Sequence, residues 1–203
     1  MKRLLSLSAA LLLAIVAGSA AHADTYNVDK GHSAAEFKVK HMFSKVAGKF
    51  TDFSGTINWD KADVAKSSVL FTLKSASINT ANEKRDAHLR TDEFFGADTC
   101  PDITFKSSKI AETAKDTFAV TGTLTMHCIE KEITLPVKFL GEGKDPWGGT
   151  TAGFETGVVL NRKDFKMNWN KSLDDGGFLL GDDVEVSISL ETKKEAPATA
   201  PAK

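Results

Sequence analysis

The stretch Val184-Glu-Val-Ser-Ile-Ser-Leu-Glu191 alternates apolar and polar side chains without interruption. Alternation with a period of two is typical of a β-strand that buries one face and exposes the other to water. The same period recurs over residues 35–40, 69–74, 118–126 and 133–139. The sequence therefore predicts a protein built mainly from one-sided strands.

Further stripes over residues 53–59, 154–160 and 165–169 bring the number of predicted strands to about eight. Phe50 is out of phase with Phe53, which predicts a bulge or bend near Thr51 to Ser54. Eight one-sided strands must pack on each other or close on themselves, because the predicted helical content is too small to cover them. Closure also removes exposed edges. We predict an all-β, eight-stranded antiparallel barrel of lipocalin-like type, with a two-sheet sandwich as the alternative.

One short helix is predicted after the strand over residues 69–74. Thr80-Ala-Asn-Glu83 has the spacing of a capping box, in which the Thr80 hydroxyl accepts from the Glu83 amide. The helix is expected from about Ala81 to Arg90.

The first residues are typical of a secretory signal. Lys2-Arg3 is followed by an apolar run from Leu4 to Val16 and by Ala21-His22-Ala23, a cleavage motif. We therefore expect residues 1–23 to be a signal peptide, residues 24–192 to form the barrel domain, and residues 193–203 to be a disordered tail. The apolar run is shorter than the ~20 residues that span a bilayer as a helix, so integral membrane insertion is not expected.

Composition narrows the function classes. The net charge is −1 and becomes more negative once Lys2 and Arg3 are removed, so the surface as a whole offers no general attraction to nucleic acid or to anionic lipid headgroups. A single tyrosine and a polar C-terminal tail argue against an outer-membrane barrel, which needs aromatic girdles.

Two cysteines, Cys100 and Cys128, are expected in an oxidising compartment, where a pair normally forms a disulfide. A turn centred near Thr113 to Lys115 would place them opposite each other in two antiparallel strands. The sequence predicts a Cys100–Cys128 bridge, with two buried free thiols as the alternative.

Motifs for catalysis or metal binding are absent. The histidines stand in no H-E-x-x-H or H-x-x-E-H motif, the cysteines in no C-x-x-C, and no serine in a G-x-S-x-G elbow. We therefore predict no catalytic residue, no metal site and no cofactor. A hydrolase or lipid-modifying enzyme that uses His32 or His88 is the second hypothesis.

The polar cluster Arg85-Asp-Ala-His88-Leu-Arg90 on the predicted helix allows two interpretations. Arg85, His88 and Arg90 at a barrel mouth are candidates for holding a phosphate or polar headgroup. The structural alternative is an intrahelical Asp86–Arg90 pair with His88 as a strut.

An ordered set of motifs resembles the YceI-like family of secreted lipid-binding proteins over almost the whole mature chain. The motifs are Gly31-His-Ser33, Phe37-Lys-Val-Lys-His41, Gly48-Lys-Phe50, Ile78-Asn-Thr80, Arg85-Asp-Ala-His-Leu-Arg90, Thr104-Phe-Lys-Ser107, Asp145-Pro-Trp-Gly148, Asn161-Arg-Lys-Asp-Phe165 and Gly181-Asp182. The resemblance implies a lipocalin-like barrel that holds a polyisoprenoid or similar long-chain lipid in the periplasm. Family members are often dimers, so a homodimer is left open.

Together, strand pattern and resemblance predict that a lipid binds inside the barrel through the inward stripe. Its predicted members are Phe37, Val39, Phe53, Ile57, Val69, Phe71, Leu73, Phe105, Leu124, Met126, Leu135, Val137, Phe154, Val158, Leu160, Val186 and Ile188. A carrier, a sensor, an accessory protein and a scavenger with no dedicated ligand all remain open roles.

Overall fold

The computed structural model describes residues 23–174 and 176–196. Within them the chain forms one antiparallel sheet of eleven strands. The strands are β1 Asp24–Val28, β2 Ala34–His41, β3 Ser44–Phe50, β4 Phe53–Trp59, β5 Ser68–Lys74, β6 Ile78–Asn79, β7 Asp102–Ala114, β8 Thr117–Met126, β9 Ile129–Lys144, β10 Thr150–Asn161 and β11 Leu180–Lys194.

Eight of these strands close into a barrel in the order β1-β4-β5-β7-β8-β9-β10-β11, because β1 pairs with both β4 and β11. The predicted eight-stranded antiparallel barrel is confirmed, and the sandwich is wrong. The inward side chains of opposite strands meet in the interior, where the main core cluster lies. The bend expected after Phe50 is the break at Thr51 that separates β3 from β4.

The hairpin of β2 and β3 extends the sheet beside the barrel. The long strand β11 pairs with β1 through Thr192 to Lys194 and with β2 over Val184 to Ser189. One strand can serve two partners because β1 and β2 are separated by a short 3₁₀ turn, Lys30–His32. The tip of the β2–β3 hairpin therefore lies at the end of the barrel where β11 begins.

The barrel wall is not uniformly paired. The ladder between β9 and β10 ends at the pair Val137 and Thr156, and the remaining residues of β10 pair with β11 alone. The next residue of β9, Pro136, has no amide hydrogen, which suits a place where a ladder stops. Beyond this point β9 and β10 diverge toward the same end of the barrel as the β2–β3 tip.

The helix α1 spans Glu83–Leu89, within the predicted segment, but its cap differs from the prediction. Asn82 is the N-cap, and its Oδ1 accepts from the Arg85 amide at 3.0 Å. Ala81 has a φ of +58°, outside the helical region, so the helix cannot begin there. Thr80 instead donates its hydroxyl and its amide to the buried Asp86 carboxylate.

The Cys100–Cys128 disulfide is present, as predicted, with a Cα–Cα distance of 5.5 Å. The predicted arrangement across two strands is wrong. Cys100 precedes β7 and Cys128 follows β8, so the bridge joins two loops at the mouth end of the barrel. Bulges in β7, near Ser107 and near Glu112, shift the strand register from the simple one that the sequence suggested.

The structure describes only part of the chain on either side of the predicted domain boundaries. Strand β11 continues through Lys193 and Lys194, two of the residues expected in the tail. The predicted signal peptide, apart from Ala23, and the tail beyond residue 196 lie outside the described residues. No helix within the described residues has the length and apolar character needed to cross a membrane.

Candidate functional site

Two adjoining cavities occupy the barrel interior. The larger has a volume of about 270 Å³ and the smaller about 90 Å³, and the walls of both include Phe71, Phe105, Leu135 and Ile188. Their linings are almost entirely hydrocarbon, since the strands turn their apolar faces inward. The shared residues arrange the cavities one behind the other along the barrel.

Aromatic rings close the inner end of this space. Trp59 makes an edge-to-face contact with Phe118, with ring centroids 4.9 Å apart, and also contacts Phe139 and Phe154. Tyr26 is fully buried beside them and donates its hydroxyl to the Glu142 carboxylate. Burial and this bond raise the pKa of Tyr26, while a hydrogen bond from Lys61 lowers that of Glu142. These side chains pack across this end of the barrel.

The other end is the mouth. Arg85 and His88 of α1, Trp169, and Leu179 and Leu180 at the start of β11 line the larger cavity there. The His88 ring contacts both Phe94 and Trp169 edge-on at 5.0 Å, which holds α1 against the segment between β10 and β11. Arg85 is exposed yet borders the cavity, so the cavity reaches the surface beside α1.

Most of the predicted lining residues line one of the two cavities. Those at the larger cavity are Phe37, Val39, Phe71, Leu73, Phe105, Leu124, Met126, Leu135, Val158, Leu160, Val186 and Ile188. Those confined to the smaller cavity are Ile57, Val69, Val137 and Phe154. Whether they contact a ligand stays a prediction.

Phe53 lines neither of these cavities. It packs in a separate cluster with Ala35 and Phe71, 5.8 Å from the Phe71 ring. The reason is local: Phe53 is the first residue of β4, next to the break in the chain, and fills the space that the small Ala35 leaves on β2.

The three headgroup candidates have different roles. Arg85 donates from Nε to Thr80 Oγ1 at 2.7 Å and from Nη2 to the Thr80 carbonyl at 2.8 Å, so its guanidinium is partly committed. Arg90 lies away from the two cavities and donates to the carbonyls of Ala76 and Ile78. Its position at the C-cap of α1 turns it toward the strand before the helix. Of these three candidates, Arg85 and His88 line the larger cavity and Arg90 does not.

Sequence reasoning missed Arg162, which is 4% exposed and borders the larger cavity. It donates to the carbonyls of Gly181 at 2.9 Å and Trp169 at 2.8 Å, and to that of Met167. Burial lowers the pKa of Arg162. The Asp182 carboxylate, whose Oδ1 lies 3.1 Å from Arg162 Nη2, acts against this shift. The signal was the resemblance motif Asn161 to Phe165, which gives no chemistry by itself. Arg162 positions the mouth segment through these backbone contacts.

The two histidines of the enzyme hypothesis lie in different places. His32 is exposed in the turn between β1 and β2 and borders neither cavity; its Nδ1 is 3.0 Å from Asp29 Oδ2. His88 borders the larger cavity, with Nε2 next to the Glu93 carboxylate. Of the two, only His88 is placed to meet a ligand in the barrel.

Asp29, His32 and Glu191 offer ligand atoms that lie within 4.8 Å of one another. Lys193 Nζ lies 2.7 Å from Asp29 Oδ2, so this carboxylate already forms an ion pair with a lysine side chain. The three groups form part of a surface ion-pair network that joins the β1–β2 turn to β11.

Comparison with known proteins gives a consistent result. The model of the YceI-like domain family matches residues 26–192. A UPF0312 protein of Azotobacter vinelandii is 41% identical over 164 residues, which cover 79% of this chain and 83% of the relative.

Solved structures share the fold. BcnA of Burkholderia cenocepacia has a TM-score of 0.72 and 26% identity, over 81% of this chain and 98% of its own. A domain from Saccharophagus degradans described as polyisoprenoid-binding has a TM-score of 0.61 and 16% identity, over 84% of this chain and 98% of its own. At that identity the second likeness concerns the fold alone.

Proposed function

The chain belongs to the YceI-like family, and on that premise we propose that it is a periplasmic binding protein that carries a polyisoprenoid or similar long-chain lipid inside its barrel. The observation that supports this most is the apolar space that extends from the mouth at α1 to the aromatic cluster around Trp59. A flexible hydrocarbon chain fits such a space, whereas a polar metabolite would lose its hydration without gaining hydrogen bonds there.

Burial of the chain would supply most of the affinity. Each buried methylene contributes ~0.8 kcal/mol, so ten carbons contribute on the order of 8 kcal/mol before the cost of ordering the chain. A hydrogen bond from Arg85 or His88 to a headgroup would add about 1.5–3 kcal/mol. The chain therefore sets the affinity, and the mouth residues set the orientation.

Mass spectrometry of an organic extract of the purified protein tests the proposal without a guess at the ligand. We expect a long-chain lipid in stoichiometric amount. The proposal would be contradicted by a protein that yields no lipid above a mock extract and that also fails to bind a fluorescent isoprenoid probe in a titration.

The position of His88 beside Glu93 at the mouth keeps the enzyme hypothesis testable. A hydrolase would turn over a lipid ester, and the rate would be lost in His88→Ala but not in His32→Ala. A binding protein would return the added lipid unchanged in all three chains.

Export is the remaining element of the proposal. Signal cleavage after Ala23 would release a chain that begins at Asp24. N-terminal sequencing of material from the periplasm should read Asp-Thr-Tyr-Asn. An uncleaved chain in the cytoplasm would refute the assigned location.

A further inference from the structure

The outer face of the β2–β3 hairpin is basic in a protein whose net charge is negative. Lys38, Lys40, Lys45 and Lys49 are all exposed on this hairpin, against Glu36 on the same strands. Glu185 of β11 forms an ion pair with Lys45 and stands opposite Lys38, and Glu36 stands opposite Lys49. Four lysines against two glutamates leave a net charge of +2, centred on Lys40 and Lys45 next to the hairpin tip. We call these four lysines the basic face.

Two of these lysines stand directly opposite each other. Lys40 and Lys45 form a cross-strand pair in the β2–β3 ladder. Like charges at directly opposed positions destabilise an antiparallel pair. An anionic surface that lies against the basic face would remove this repulsion.

The tip of the same hairpin exposes hydrocarbon to water. Phe43 is 93% exposed and Met42 is also exposed, and Phe178 nearby is 65% exposed. The Met42 amide donates to the Leu179 carbonyl at 3.0 Å, which joins the hairpin tip to the segment that carries Phe178. We call Met42, Phe43 and Phe178 the apolar tip.

The apolar tip lies at the mouth of the larger cavity. His41 and Leu179 are its immediate chain neighbours, Leu180 follows Leu179, and all three line that cavity. His41 pairs with Leu180 across β2 and β11. A lipid that enters or leaves the barrel here passes beside side chains suited to the headgroup region of a bilayer.

We propose that the basic face and the apolar tip together dock the barrel, mouth first, on a bilayer that contains anionic lipids. Phe43 and Phe178 insert among the headgroups, and the lysines contact the lipid phosphates. The proposal rests on the lipid-carrier function, and it gives that function a partner: the membrane from which the lipid is taken or to which it is delivered.

Vesicle flotation with the purified chain tests docking. The probes are vesicles of phosphatidylethanolamine and phosphatidylglycerol, and vesicles of phosphatidylcholine alone. We expect binding to the anionic vesicles that falls with added salt. The double variant Phe43→Ser with Phe178→Ser should lose at least about tenfold in vesicle partitioning, because it removes the two aromatic rings that would be buried in the bilayer. Lys40→Gln should lose about fivefold on the anionic vesicles only.

Trp147→Ser is the matched control, because Trp147 is 88% exposed in the β9–β10 loop, at the opposite end of the barrel. It should bind vesicles like the unmodified chain. Equal losses in the control and the double variant would overturn the proposal, and so would vesicle binding that the double variant leaves unchanged. A double variant that changes only the oligomeric state would assign the tip to a protein interface, which also overturns it.

A second measurement separates this proposal from the carrier function. Binding of a soluble fluorescent isoprenoid probe should stay within about twofold in the double variant. If the unmodified chain binds the probe but not vesicles, docking is refuted and the carrier function stands. If it binds vesicles but no probe, the carrier function is refuted. Loss of probe binding in the double variant would place the tip in the lipid site and refute a separate docking role.

Discussion

Asp29 is the residue that ties the β1–β2 turn to the last strand. Its Oδ1 accepts from the Gly31 amide at 3.0 Å, and its Oδ2 lies 2.7 Å from Lys193 Nζ. Hydrogen bonds from Lys193 and His32 hold the pKa of Asp29 at about 2, below its usual value of about 3.8. Stability linked to this group is therefore present above the usual value and is lost as the pH falls toward 2.

Asp29→Asn should lower the free energy of unfolding at pH 6 by up to about 1 kcal/mol, because asparagine keeps the capping oxygen but loses the ion pair with Lys193. The variant should also lose less stability than the unmodified chain between pH 5 and pH 3, because the titrating group is gone. Urea unfolding at pH 6, pH 5 and pH 3 measures both effects. Asp98→Asn, which removes an exposed carboxylate with no salt bridge within the described residues, is the control. Parallel pH profiles for Asp29→Asn and the unmodified chain would contradict the assignment.

Residue periodicity predicted the cavity walls well and the mouth poorly. Val186 and Ile188 line the larger cavity because strict alternation on a closed barrel leaves them no other side. Trp169 and Arg162 belong to a largely irregular segment, where no period indicates which side chains turn inward. Their positions depend on the hydrogen bonds of a buried guanidinium to carbonyls distant in sequence, which spacing alone does not reveal.

At the scale of elements, Gly122 sets how closely β8 approaches β7. A Cβ at this position would lie 2.4 Å from the Lys106 carbonyl oxygen and 2.8 Å from Phe105 Cζ. Gly122→Ala should therefore lower the free energy of unfolding by about 1–3 kcal/mol, because backbone and a cavity-lining ring must move. The midpoint and slope of denaturant unfolding measure the loss.

Gly157→Ala on β10 is a matched control for this change. Its nearest atom, the Val186 carbonyl oxygen, would be at 3.7 Å, an ordinary contact. This variant should be unchanged or more stable by up to about 1 kcal/mol, since alanine restricts the unfolded chain. Equal destabilisation of the two variants would show that the close approach at Gly122 is unimportant.

The disulfide joins the loop before β7 to the β8–β9 turn and closes a separation of 28 residues. Loop entropy for a closure of this size is worth about 3–4 kcal/mol. Reduction should lower the free energy of unfolding by this order, as measured by urea titration with and without a reductant. In the double variant Cys100→Ala with Cys128→Ala, the reductant should leave the free energy of unfolding unchanged. A reduced chain as stable as the oxidised one would refute a stabilising role.

The elements themselves were predictable to different depths. Long one-sided strands such as β11 followed from alternation, and the helix followed from the capping-box spacing of Thr80 and Glu83. The cap of α1 was misassigned because Asn82 and Thr80 are both good capping residues, and only the left-handed backbone at Ala81 decides between them. The Cys100–Cys128 pairing was right although its predicted geometry was wrong, since two loops at one end of a barrel meet as readily as two strands.

For the molecule as a whole, two cavities in series predict that affinity depends on the length of the lipid's hydrocarbon chain. Leu124 lines the larger cavity, and Val137 lines the smaller one beyond it. A lipid that enters at α1 reaches Leu124 with its first carbons and Val137 only with its far end. A larger side chain at Leu124 should therefore affect lipids of every length, and a larger side chain at Val137 should affect only long ones.

Leu124→Trp should abolish binding of isoprenoid probes of every length, because its added bulk obstructs the larger cavity, which every chain must enter first. Val137→Trp should weaken long chains by about tenfold or more and spare short ones, because it fills only the inner cavity. Arg85→Ala should weaken binding only several-fold, since one hydrogen bond contributes less than the chain. Val159→Trp adds the same bulk on an exposed position of β10 and should bind normally. Displacement titrations over a series of chain lengths, with circular dichroism to verify the fold, measure all four variants. If Arg85→Ala were the most damaging change, or if Val137→Trp affected short and long chains equally, the headgroup rather than the barrel depth would govern recognition.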